Sequence, residues 1–124
     1  MFALSQEEVI QSITKTQGPG GVKIQHRDTV VSWLLEVAPH LEIHPETVGK
    51  GARYLDKYLA RHRIPLTRLQ ELGCAALLVA CKQRESDFCT PSLSWLENAS
   101  CGAFTAQSLK KTEVSLCEAL EWFI

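Results

Sequence analysis

The 124-residue chain has no apolar run long enough to cross a bilayer. Its longest, Leu72 to Cys81, is ten residues, about half of the ~20 that a helical span needs. Seven glycines and five prolines are too few for a collagenous or low-complexity chain. There is no Cys-x-x-Cys pair, and five cysteines, at 74, 81, 89, 101 and 117, are an odd number. That usage fits reduced thiols inside the cell better than a disulfide framework. Met1-Phe2-Ala3-Leu4 reaches Glu7 and Glu8 before any basic and then apolar segment, so no secretory leader is expected. Neither sign of charge dominates: 13 Lys and Arg stand against 14 Asp and Glu. A 45% apolar fraction is too high for intrinsic disorder. The expectation is one globular domain, large enough to bury roughly two-thirds of its unfolded surface without disulfide or metal staples.

The balance of charge conceals an asymmetry. Lys50, Arg53, Lys57, Arg61, Arg63 and Arg68 face Asp56 alone, whereas from Glu85 onward six acids face Lys110 and Lys111. The pattern is that of two solvated helix faces or of a polar partner surface. With a pI near 6.4 the chain lacks the basic footprint of a nucleic-acid binder.

Helical periodicity runs the length of the sequence. Ser5-Gln6-Glu7-Glu8 has the form of a capping box, followed by Val9, Ile10 and Ile13 on one stripe to about Lys15. Gly18-Pro19-Gly20-Gly21 breaks this helix; with no Lys-Ser/Thr after it, the run is a loop rather than a phosphate cradle. Val30, Trp33, Leu34 and Val37 predict a helix from Arg27 to Val37 that Pro39 ends. Pro45 opens another, with Val48, Ala52, Leu55 and Leu59 on its apolar face, to about Arg61. From Leu69 to Cys81 the apolar residues cover the whole circumference, which only a helix surrounded by others tolerates. A short helix over Pro91 to Leu96 follows. Thr105 is the expected N-cap of a last helix carrying Leu109, Leu116, Leu120 and Phe123. The fold class is all-α.

No catalytic machinery is evident. His40 and His44 sit between Pro39 and Pro45 with no third ligand in sequence, so no metal site or cofactor is expected. Cys74 and Cys81 lie in the most apolar helix, where cysteine acts as a small buried hydrophobe. Thr90-Pro91 is the minimal site of a proline-directed kinase and Arg63-Ile64-Pro65-Leu66 has a destruction-box form; both are too short to carry an argument. Two charges are more informative. Lys82 ends the apolar helix, and Glu113 interrupts the stripe of the last helix four residues after Leu109. They are either a snorkelling lysine and a solvated glutamate, or a pair meeting in a groove between two helices.

Several segments, in order and with compatible spacing from about His26 to Ile124, resemble the N-terminal cyclin box. They are Arg27-x-x-Val30-x-x-Trp33-Leu34-x-Glu36-Val37, Pro45-Glu46-Thr47, Tyr54-Leu55-Asp56-Lys57-Tyr58-Leu59, Leu69-Gln70-x-Leu72-Gly73, Ala80-Cys81-Lys82-x-x-Glu85 and the stretch from Glu113 to Trp122. The resemblance implies a five-helix box over residues 26–124, preceded by an N-terminal helix and Gly/Pro loop over 1–25. It implies a non-catalytic regulatory subunit that binds and activates a cyclin-dependent serine/threonine kinase in the nucleus and cytoplasm, without a cofactor. The family signature falls on Arg27, Val30 (usually Leu), Asp56, Lys82 and Glu113. By resemblance Arg27 and Asp56 form a buried structural ion pair. Val79, Lys82, Gln83, Glu85, Glu113, Cys117 and Trp122 form the kinase-facing surface.

Arg27, Val30, Trp33 and Gln70 match the patch on which many cyclins dock Arg-x-Leu substrates and inhibitors. His26 and Thr29 stand where that patch has a Met and a large aliphatic residue, so an altered docking site is expected. Lys82-Gln83-Arg84-Glu85, Ser32 before Trp33, and Leu120-Glu121-Trp122 are most similar to D-type cyclins. The Leu-x-Cys-x-Glu motif for pocket proteins is absent. The sequence covers one box, which leaves open a single-box cyclin, a shortened product or a degenerate member that competes with active cyclins. A second class of reading is a cyclin-fold adaptor in transcription, in the manner of general transcription factor IIB. The basic stretch from Lys50 to Arg68 favours it, and the acidic C-terminal half and the Lys82/Glu113 pair oppose it.

Overall fold

A computed structural model describes residues 5–84 and 90–120. The described residues form six α-helices and two short 3-10 turns. Helix α1 (Gln6–Gln17) starts at Ser5, whose Oγ accepts the Glu8 N–H at 3.2 Å, and stops at Gly18, where φ is +70°. Only glycine adopts that conformation without cost. Helix α2 (Ile24–Val37) begins a turn before the expected start, because His26 Nδ1 accepts the Lys23 N–H at 3.0 Å and caps the extra turn. The helix ends before Pro39, which sits in a 3-10 turn over Ala38–Leu41.

Helix α3 (Pro45–Leu59) has proline in its first turn, where the missing N–H is no loss. It ends short of Arg61, because the Arg61 and His62 N–H groups both turn back to the Tyr58 carbonyl, at 3.1 and 2.8 Å. A 3-10 turn at Leu66–Arg68 leads into α4 (Leu69–Arg84). That helix continues one turn past the expected Cys81, through Lys82 and Gln83, which are exposed. Helix α5 (Leu93–Ala99) is capped by Ser92, so it begins and ends later than the Pro91 to Leu96 expectation. Helix α6 (Ala106–Ala119) starts as expected at Thr105, whose Oγ1 accepts the Ser108 N–H at 3.0 Å.

Helix α4 is the hub. Every residue from Glu71 to Cys81 is buried, and the helix packs on α2, α3 and α6. Leu34, Leu55, Leu59, Leu77, Leu109 and Leu116 close around it in one core. Cys74 and Cys81 are buried there, and burial pushes the Cys74 thiol up to about 12. Among the described residues no helix is long and apolar enough to cross a membrane.

Helix α1 joins this core through Ile13 and through a polar anchor that periodicity does not reveal. Gln17 is fully buried. Its Nε2 donates to the carbonyls of Leu59 and His62 at 2.7 and 2.8 Å, and its Oε1 accepts the Ile64 N–H at 3.2 Å. One amide thus satisfies three backbone groups of the chain leaving α3.

Candidate functional site

The last turn of α4 and the middle of α6 build the first constellation. Lys82 Nζ lies 2.6 Å from Glu113 Oε2; the lysine side chain is 55% exposed and the glutamate 11%. Glu113 stands on the inner side of α6 because its neighbours along the stripe, Leu109 and Leu116, are fully buried. Its carboxylate is therefore held beneath an accessible cation. Such a pair fixes orientation more than it adds stability, since desolvating the carboxylate offsets much of the attraction. The reading of an unrelated solvated glutamate is overturned by this contact.

Gln83 follows on α4, exposed, and receives a short hydrogen bond from the Tyr54 hydroxyl on α3. Lys50 Nζ lies 5.9 Å from the centre of the Tyr54 ring, within cation–π range. Cys117 is exposed one turn beyond Glu113. Partial burial and the Glu113 carboxylate push its thiol up, against a smaller opposing effect of Lys82, so the group is held as a neutral thiol rather than a nucleophile. The structure thus brings Lys82 together with Glu113 and leaves Gln83 and Cys117 exposed.

Val79 is a correction. It is 4% exposed and belongs to the core, because α4 is enclosed all round until its last turn. Val114 is 51% exposed on the face of α6 shared by Lys110, Glu113 and Cys117. A valine exposed beside a buried glutamate is a signal that an apolar-stripe search skips. Glu85 and Trp122 lie outside the described residues.

Arg27 and Asp56 join α2 to α3 in a two-pronged contact, Nε to Oδ1 and Nη2 to Oδ2, both at 2.8 Å. Asp28 takes the remaining arm at 3.1 Å. The two-pronged contact and the neighbouring carboxylates raise the arginine pKa, outweighing its partial burial. The pair is partly solvated, with side chains 23% and 16% exposed, rather than buried as expected. The rim of α2 leaves one side of the guanidinium in water. Val30, Trp33 and Gln70 are likewise partly buried. Val30 reaches across to α4, where a Cβ on Gly73 would meet its Cγ1 at 2.6 Å. His26 and Thr29 are spent locally: His26 Nδ1 accepts the Lys23 N–H at 3.0 Å, and Thr29 Oγ1 donates to the Gln25 carbonyl at 2.9 Å.

A second polar cluster, at the start of α4, was not foreseen. Glu71 is 3% exposed. It accepts from Arg68 Nη2 at 2.8 Å, from Thr112 Oγ1 at 2.9 Å and from the Ser108 hydroxyl in a short contact. Burial pushes its carboxyl up, but the hydrogen bonds from Ser108, Arg68 and Thr112 and the charge of Arg68 together outweigh that and hold it below the usual carboxylate value. The partners on α6 lie far along the chain, so spacing alone gives no sign of them.

Comparison with known proteins places these features in a family. Residues 2–124 match the family described as "Cyclin, N-terminal domain". The chain is 31% identical over 120 residues to the G1/S-specific cyclin-E of Drosophila melanogaster, covering 96% of this chain and 17% of that protein. It is 32% identical over 96 residues to Cyclin-B1-3 of Oryza sativa subsp. japonica, covering 77% and 20%. It is 33% identical over 102 residues to Cyclin-A3-2 of the same plant, covering 77% and 24%. The chain therefore spans about a fifth of the length of the curated relatives it matches. These relatives carry E-, B- and A-type names, not specifically the D-type to which the Lys82 to Glu85 run points. With the helical hub, the Arg27–Asp56 pair and the Lys82–Glu113 contact already in place, the match over nearly the whole chain establishes that it belongs to the cyclin N-terminal domain family.

Proposed function

We propose that this chain is a non-catalytic regulatory subunit that binds and activates a cyclin-dependent protein kinase in cell-cycle control. The observation that carries the reading is the Lys82–Glu113 contact, a half-exposed cation fixed by a buried carboxylate at the two positions where the family signature has kinase-contacting residues. Gln83, Val114 and Cys117 extend that surface. Binding there favours the inward state of the kinase C-helix, whose Glu must pair with the ATP-positioning Lys before phosphoryl transfer is efficient. The chain supplies position and no chemistry.

Arg27, Val30, Trp33 and Gln70 form the proposed docking patch for Arg-x-Leu segments. Arg27 is already committed to Asp56, so the patch relies chiefly on the accessible parts of Val30, Trp33 and Gln70. A D-type placement rests on the Lys82 to Glu85 run and on Leu120-Glu121-Trp122. Action in the nucleus and cytoplasm belongs to the same proposal.

The experiment is co-purification with a panel of cyclin-dependent kinases, followed by an activity assay on each that binds. A bound and active kinase supports the reading. A bound but silent kinase makes the chain a competitor, and absence of binding across the panel overturns it.

A further inference from the structure

At the end of α4 remote from Lys82, a cavity of about 620 Å³ opens between the segment leaving α3 and the first turns of α6. Arg63, Arg68 and Lys111 line it, with the polar side chains of Gln107 and Ser115, and no carboxylate is in its wall. Arg63 and Lys111 are exposed and form no ion pair with any described residue. Arg68 is held in place from behind: Nη2 donates to Glu71 Oε1 at 2.8 Å and to Thr112 Oγ1 at 3.0 Å. A guanidinium carries five N–H donors, so the rest of the Arg68 fork remains to serve a ligand. The buried Glu71 thus acts as a positioning group for Arg68, one of the three basic residues that line the cavity.

We propose that this cavity recognises a phosphorylated serine or threonine side chain in an extended segment of a partner protein. A phosphoryl group carries close to two negative charges and three strong acceptor oxygens, and guanidinium and ammonium donors are its usual partners. Two of the first amides of α6 are already taken, that of Ala106 by Glu97 Oε1 at 2.5 Å and that of Ser108 by Thr105 Oγ1 at 3.0 Å. Side chains therefore supply most of the donors. The volume exceeds what a free tetrahedral oxyanion fills, and Tyr58, Ile64, Pro65 and Leu72 give the remaining wall an apolar surface suited to the residues flanking a phosphorylated side chain. This site is independent of the kinase-facing surface and does not rest on it.

The test uses the whole chain and a peptide library with a central phosphoserine or phosphothreonine and randomised flanks. The same library unphosphorylated, a library with central Glu, and inorganic phosphate alone are the comparison probes. The expected result is retention of the phosphorylated library about tenfold above both comparison libraries. An Arg63→Ala/Lys111→Ala variant, whose circular dichroism and melting match the parent, should lose that retention about tenfold. Equal retention of phosphorylated and unphosphorylated or Glu libraries overturns the proposal, as does retention unchanged in the double variant. Amide shifts at Ser108 and Lys111 with inorganic phosphate, but no library retention, identify a free-anion site and overturn the peptide claim.

Discussion

Gly51 on α3 lies against the backbone of Leu77 on α4, so that a Cβ at position 51 would stand 3.3 Å from the Leu77 Cα and N and from the Ala76 carbonyl oxygen. The missing side chain lets the two helices approach at the centre of the fold. Two residues earlier on the same helix, a Cβ on Gly49 would meet nothing within 4 Å.

The two glycines therefore respond with opposite sign. Alanine in an exposed helix interior gains up to about 1 kcal/mol over glycine, so Gly49→Ala stabilises the domain by about 0.5–1 kcal/mol. Gly51→Ala forces backbone apart and costs about 1–2 kcal/mol. Urea unfolding midpoints measure both; stabilisation by both substitutions would show that α3 and α4 do not pack this closely.

Gln17 secures α1 to the end of α3. Gln17→Ala removes one side chain but strands three buried or half-buried backbone groups, those of Leu59, His62 and Ile64. The expected loss is about 2–3 kcal/mol, with amide exchange accelerated first in α1. Gln17→Glu is expected to be worse, because a carboxylate faces two carbonyls it cannot donate to. A loss under about 0.5 kcal/mol for the alanine variant would mean that the anchor is replaced by water.

Glu71 makes stability depend on acid. Its folded pKa lies below the ordinary value of 4.5, so the contribution of the ionised group is complete above pH 4.5 and is lost as pH falls through the lower folded value. Glu71→Gln is expected to be less stable than the parent at pH 7, with the difference shrinking below about pH 4.5. Denaturant titrations from pH 7 to pH 3 read this directly. A gap that stays constant or widens in acid contradicts the assignment.

How far the sequence foretold this structure depended on the range of each signal. The hub character of α4 was legible because a helix apolar on every side has one solution. The Lys82–Glu113 contact was legible only in part: a charge inside an apolar stripe marked Glu113 as unusual, but a solvated glutamate and a snorkelling lysine fitted the same pattern until the fold brought the two together. Gln17 and Glu71 gave no sign, since a polar residue near a helix end reads as solvated until the tertiary fold brings a distant segment over it. Val79 was placed on the kinase-facing surface by resemblance, whereas the all-round apolar pattern of its helix already pointed to the buried position it takes. The Arg27–Asp56 pair formed as expected, but its remaining exposure depended on how α2 sits at the rim of the fold.

The most direct test of the kinase-facing surface exchanges its charges. In Lys82→Glu/Glu113→Lys the internal pair is kept with its polarity reversed, so a purely structural role leaves kinase binding unchanged. The account predicts a folded variant by circular dichroism whose co-purification with a partner kinase falls at least about tenfold, equivalent to roughly 1.4 kcal/mol. Undiminished binding by the charge-exchanged variant would contradict it.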